Sequence, residues 1–148
     1  MSNRSTPIAS TSAASIPTSQ STTMRRILVI DDEADIREIA KMSLKITKQW
    51  EVLTAATGLE GVAIAATEQL DAILLDVIMP EMDGLTTLKN LNANPTTQHI
   101  PVLLLTATVR AVTRQQYAES GAKAVLLKPF DPGLLGSQIE QALNWGEA

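Results

Sequence analysis

Five polar side chains stand where hydrophobic runs end. Asp31 and Asp32 follow the run 27–30, Asp76 follows 72–75, Thr106 follows 102–105 and Lys128 follows 124–127. If these runs are neighbouring strands, three carboxylates converge on one edge. Carboxylates that close repel one another and raise each other's pKa unless a cation neutralises them. A hard divalent ion with oxygen ligands does so, and magnesium (Mg2+) suits the set better than zinc because no His or Cys is near in sequence. A hydroxyl and an ammonium at the same edge can bind the oxygens of a phosphoryl group. Taken singly, each residue has a plainer explanation. An Asp such as Asp32 or Asp83 can cap the next helix, Thr before a helix is a common N-cap, and Lys after a strand is usually solvated. Five polar residues ending four separate hydrophobic runs are hard to explain as caps.

The elements that must position these groups are legible in the same pattern. Short β-branched or leucine-rich runs alternate with longer helical patterns from Arg26 onward. Strands are expected at 27–30, 52–55, 72–75, 102–105 and 124–127, all nearly continuous apolar runs, as in a parallel sheet covered on both faces. Helices are expected at about 35–48, 59–69, 85–92, 109–120 and 132–144, with Gly58, Gly84, Gly121 and Pro132 marking their ends. Strict alternation with right-handed crossovers gives an α/β fold with a doubly wound five-stranded parallel sheet. Ligands bind such sheets at the carboxyl ends of the strands, where the five polar residues fall. The loop from Asp76 leads into the third helix through Gly84, which supplies the backbone freedom of the turn. Lys128 precedes Pro129 and Phe130, and a cis X-Pro bond there would fix a tight turn and aim the lysine inward.

Composition narrows the function classes. A chain of 148 residues with 45% apolar content buries roughly two-thirds of its unfolded surface, enough for one compact domain. A net charge of -4 and a pI near 4.9 offer no basic field to a nucleic acid backbone. There is no cysteine, so disulfides and thiolate metal sites are excluded. No apolar stretch approaches the ~20 residues of a membrane span. Residues 1–23 are about half Ser and Thr, with two prolines and one charged side chain, Arg4. They are expected to be a disordered tail ahead of a domain over 24–148; they lack the features of a secretory signal or transit peptide, which suits a cytoplasmic protein.

Four motifs taken together carry a family resemblance. They are the Asp31-Asp32 pair after the first strand, Asp-x-x-Met-Pro-x-Met-Asp-Gly from Asp76 to Gly84, Thr106 after the fourth, and Lys128-Pro129-Phe130 after the fifth. Over about 25–144 the chain resembles a response-regulator receiver domain, CheY-like, of two-component signalling systems. The resemblance implies a flavodoxin-like fold with strand order 2-1-3-4-5. It implies that Asp76 is the nucleophile that takes a phosphoryl group from a sensor histidine kinase or a histidine phosphotransfer protein. It implies Mg2+ held directly by Asp32, Asp76 and the backbone carbonyl of Ile78, with Asp31 acting largely through water. Lys128 would contact the phosphoryl group, and the Thr106 hydroxyl would move to bond a second oxygen.

The resemblance also marks a departure. Many members carry an aromatic residue three positions before the lysine; here it is Val125, too small to report the movement of Thr106 in the usual way. Ile78 and Thr108 sit two residues after Asp76 and Thr106, where side chains affect water access to the phosphoryl group. Apolar Ile78 offers no group to orient an attacking water, which implies a long-lived phosphoryl state. No output domain is expected after the fifth helix pattern, so the signal would pass by binding another protein or by forming a homodimer. In the family the contact face comprises the fourth helix, fifth strand and fifth helix, here carrying Arg110, Arg114, Tyr117 and Gln138, which otherwise read as solvated helix residues. Trp50 is expected to pack at the start of the second strand, Trp145 near the end of the last helix and His99 on a loop.

Three other readings compete. A phosphatase of the haloacid dehalogenase type also uses an Asp nucleophile, magnesium, Thr or Ser, and Lys. Its Asp-x-Asp motif after the first strand is absent from Asp31-Asp32-Glu33-Ala34-Asp35, and no cap domain is expected. A dinucleotide-binding domain needs a glycine-rich turn where Asp31, Asp32 and Glu33 would repel phosphate. A degenerate receiver, binding partners without phosphorylation, is suggested only by Val125.

Overall fold

The computed structural model describes residues 24–79, 82–107 and 112–146; the tail expected at residues 1–23 lies outside the described residues. Five strands form one parallel sheet: β1 (Arg26–Ile30), β2 (Glu51–Ala55), β3 (Ala72–Asp76), β4 (Val102–Thr106) and β5 (Ala124–Leu127). Their order is 2-1-3-4-5, as expected. Between and after them run α1 (Ala34–Lys48), α2 (Gly58–Thr67), α3 (Gly84–Ala93), α4 (Arg114–Ser120) and α5 (Leu135–Leu143).

Alternation along each strand sends successive side chains to opposite faces. On one face Ile27, Val29, Leu74 and Leu103 pack with Leu44 of α1 and Leu135 and Ile139 of α5. On the other, Leu28, Ile30, Leu75 and Leu104 pack with Ala65 of α2 and Leu88 and Leu91 of α3. The central strands β1, β3 and β4 are therefore buried on both sides, which is why they read as unbroken apolar runs. Each fully buried Leu or Ile contributes about 1.5–3 kcal/mol, and this core fixes the strand ends relative to one another. The β5 edge is less anchored: its residues are only partly buried or exposed, and α4 buries none of its side chains.

Two helix starts differ from expectation. The fourth helix, expected from 109, begins at Arg114; 109–111 lie outside the described residues, and Val112 and Thr113 are not helical. The reason is a capping box: Gln116 N–H donates to the Thr113 hydroxyl at 3.0 Å, and Thr113 N–H donates to Gln116 Oε1 at 2.9 Å. The fifth, expected from Pro132, begins at Leu135. Gly133 N–H donates to Asp131 Oδ1 at 2.8 Å and Leu134 N–H to the Asp131 carbonyl at 2.9 Å, so Asp131, Pro132 and Gly133 form a turn instead.

Trp50, directly before β2, is buried and meets Trp145 edge to face at 5.5 Å between ring centroids. Arg25 lies 4.2 Å above the Trp145 ring, closing the amino end of the sheet with a cation–π contact. Lys48 Nζ meets Glu140 Oε1 at 2.7 Å and ties α1 to α5. Among the described residues no helix is long and apolar enough to cross a membrane.

Candidate functional site

At the carboxyl ends of β1, β3, β4 and β5 the fold collects the five polar residues singled out above. Asp31 follows β1 directly, and its backbone N–H still donates to the Ala55 carbonyl at 3.0 Å, continuing the ladder with β2. The residue is fully buried. One carboxylate oxygen, Oδ1, accepts the Glu33 N–H at 2.9 Å, and the Asp31 carbonyl accepts from Arg37 Nη1 at 2.8 Å. The other, Oδ2, lies 2.8 Å from Lys128 Nζ. The distance makes an ion pair, but the contact lacks hydrogen-bond alignment, so Oδ2 is a buried oxygen without a directional partner.

Asp76 ends β3 opposite Leu105 of β4 and is 4% exposed. Its Oδ1 accepts the Ile78 N–H at 3.3 Å and lies 3.5 Å from Lys128 Nζ. Burial, and then the neighbouring charge of Asp31, push its pKa up to about 6; Lys128 and the Ile78 N–H pull the other way without cancelling them. Asp32 is exposed at the rim, and its carboxylate, with those of Asp31 and Asp76, brings three oxygens within 4.8 Å of one another. Ile78, 61% exposed, stands beside this cluster.

Lys128 follows β5 directly; its N–H donates to the Thr106 carbonyl at 2.8 Å, and the bond to Pro129 is cis. Its side chain is 11% exposed, and Glu33 Oε1 lies 3.1 Å from Nζ. Burial alone would lower the lysine pKa, but the acids around it, Asp31 foremost, outweigh that and raise it. The ammonium therefore stays charged. Thr106, the last residue of β4, is buried next to this edge, across from Leu127 of β5.

Gly84 is required by space. A Cβ there would run into the Asp76 carbonyl oxygen and lie 2.7 Å from Val77 Cα. Its N–H donates to the Val77 carbonyl at 2.7 Å, so α3 starts tight against the end of β3. Asp83 is the N-cap of α3, accepting the Thr86 N–H at 2.8 Å, and its carboxylate serves the helix.

The donor set is all oxygen, it carries three carboxylates against one lysine, and a buried Asp31 oxygen lacks a directional donor. These features fit a hard divalent cation of the magnesium kind. Two residues of the site were not among the expected site residues: Glu33, which reaches Lys128, and Arg37, which holds the Asp31 carbonyl. A glutamate at the helix start, where short polar caps are favoured, was the available signal for Glu33.

Residues 27–140 match the family model described as the response regulator receiver domain. The response regulator PleD of Caulobacter vibrioides is 46% identical over 116 residues, 77% of this chain and 25% of PleD. The transcriptional regulator RpaA of Synechocystis is 39% identical over 108 residues, 73% of this chain and 44% of RpaA. The chain thus spans about a quarter to a half of the curated relatives it matches. Among solved structures, the chemotaxis response regulator CheY4 of Vibrio cholerae superposes with a TM-score of 0.74 at 32% identity, covering 81% of this chain and 99% of CheY4. The receiver domain of the sensor histidine kinase PA1611 from Pseudomonas aeruginosa, which carries magnesium in its active-site cleft, shares the fold at 24% identity and a TM-score of 0.72, over 82% of this chain and 98% of that one. With its match spanning every strand and the five edge residues, the chain belongs to the response regulator receiver domain family.

Proposed function

We propose that this chain accepts a phosphoryl group on Asp76 from a sensor histidine kinase or histidine phosphotransfer protein and signals through a phosphorylation-dependent protein contact. The observation that carries the proposal is a buried carboxylate at the sheet edge with a charged lysine 3.5 Å away and two further acids beside it.

In the transfer an Asp76 oxygen forms a bond to phosphorus while the bond from phosphorus to the donor imidazole nitrogen breaks. The leaving nitrogen keeps the electron pair. Asp32, Asp76 and the Ile78 carbonyl would hold Mg2+, with Asp31 acting largely through water. Bound there, the ion supplies positive charge to the phosphoryl oxygens. The Lys128 ammonium would pair with one of those oxygens, and the Thr106 hydroxyl, at the end of the neighbouring strand, would bond another after a local shift.

Such a shift biases an existing equilibrium rather than creating a new state. β5 is the strand with no buried residue and α4 buries none of its side chains, which supports this edge as the segment that responds. Arg114 on α4 and Gln138 on α5 are exposed, and Tyr117 packs partly against the core; Arg110 lies outside the described residues. Val125 faces Leu104 and packs on the same core cluster, so the response would travel through aliphatic packing. The partner on this face would be a downstream protein or a second copy in a homodimer.

The test is incubation with Mg2+ and acetyl phosphate, followed by intact mass, with Asp76→Asn as control. One base-labile phosphoryl adduct, absent from the control, is the expected result. No adduct with magnesium binding intact would replace this reading with that of a phosphorylation-independent interaction module.

A further inference from the structure

Glu33 occupies the N-cap of α1, with extended backbone at φ -89° and ψ 117°, yet its side chain makes no cap hydrogen bond. Short side chains cap helices because they reach back to the first turn, and glutamate is not among the favoured residues. Local choices that break such a rule concentrate at functional sites. Here the carboxylate reaches across the sheet edge to Lys128 Nζ at 3.1 Å, while the Glu33 N–H holds Asp31 Oδ1 at 2.9 Å.

The lysine is thus divided among three acids. It stands 2.8 Å from Asp31, 3.1 Å from Glu33 and 3.5 Å from Asp76. Asp31 is fully buried, with its carboxylate held by the Glu33 N–H and its backbone carbonyl by Arg37, whereas the Glu33 side chain that Lys128 contacts is 60% exposed and open to water. Glu33 is therefore the acid that can let go of the ammonium at least cost. A phosphoryl group on Asp76 needs that ammonium as its own counter-charge.

We infer that Glu33 is a positioning residue that competes with the phosphoryl group for Lys128, holding the ammonium toward the start of α1 until a phosphoryl group displaces it. This rests on the phospho-acceptor reading of Asp76. It makes the unphosphorylated state more favourable and couples phosphorylation to the first turn of α1, a place separate from the α4 and β5 edge.

The experiment compares the full chain with Glu33→Gln and Glu33→Asp at saturating Mg2+. It measures affinity for beryllofluoride, a phosphoryl mimic, and the rate of modification by acetyl phosphate. Removing an exposed competitor is expected to raise both by about three- to fivefold in Glu33→Gln, and the gain should shrink at high salt. Glu33→Asp keeps the charge but shortens the reach, so it too should gain if contact with Lys128 is the cause. Normal beryllofluoride binding without a gain in Glu33→Gln overturns the role of Glu33 alone, as does a Glu33→Asp protein identical to wild type beside a gain in Glu33→Gln. No beryllofluoride binding and no adduct on the wild type overturn the Asp76 reading and this inference with it.

Discussion

Replacing Asp76 by Asn should make the metal-free protein more stable. Folding moves this carboxyl from an ordinary 3.8 to about 6, through burial first and the charge of Asp31 second. Between those values the folded protein holds a proton that the unfolded chain has released, so wild-type stability falls as pH rises from about 4 to 6 and the deficit is constant above. At 1.36 kcal/mol per pH unit the full deficit is roughly 3 kcal/mol. An amide removes the charge and keeps an oxygen for the Ile78 N–H, now at 3.3 Å from Asp76 Oδ1. Urea unfolding in EDTA should show Asp76→Asn more stable by about 2–3 kcal/mol near pH 7.5, with the advantage fading to nothing near pH 4. Excess Mg2+ should narrow or reverse the gap, because the ion stabilises only the form that binds it. A variant no more stable than wild type in EDTA at neutral pH, or an advantage that ignores pH, would refute the electrostatic account.

Three further outcomes follow from the same geometry. Gly84→Ala should cost about 2 kcal/mol or more in urea unfolding, because its Cβ meets fixed backbone at the end of β3, while Gly133→Ala, whose Cβ meets only the Asp131 side chain, should change little. Equal effects would remove the steric argument. Magnesium affinity by calorimetry should fall about tenfold for each pH unit below about 6, as the proton on Asp76 competes with the ion; an affinity flat from pH 5 to 7.5 would contradict it. Ile78→Asn, which places an amide at an exposed position beside Asp76, should shorten the life of the phosphoryl group several-fold, read by loss of the mass adduct, and an unchanged lifetime would exclude Ile78 as a barrier to water.

How much was legible in the sequence depended on the range of the interaction. The five strands were visible because a parallel strand covered on both faces needs apolar side chains at every position, so β1, β3 and β4 carry their burial in their composition. Asp31, Asp32, Asp76, Thr106 and Lys128 were visible because they interrupt such runs at their ends, where an open α/β sheet places its ligand site. The starts of α4 and α5 were misplaced because the capping box at Thr113 and the turn at Asp131 are specific hydrogen bonds that hydrophobic periodicity does not register.

What only the tertiary structure decided was the environment of each charge. Asp31 and Asp32 are identical neighbours in the chain, yet one is fully buried and the other stands at the rim. Glu33 and Lys128 are 95 residues apart and share an ion pair. The raised pKa of Asp76 has the same origin. It arises from removal of water by side chains drawn from several strands and from a second carboxylate 45 positions earlier in the chain. Desolvation and Coulomb energy depend on distance through space, and the fold alone converts distant positions in the chain into contacts of a few ångströms.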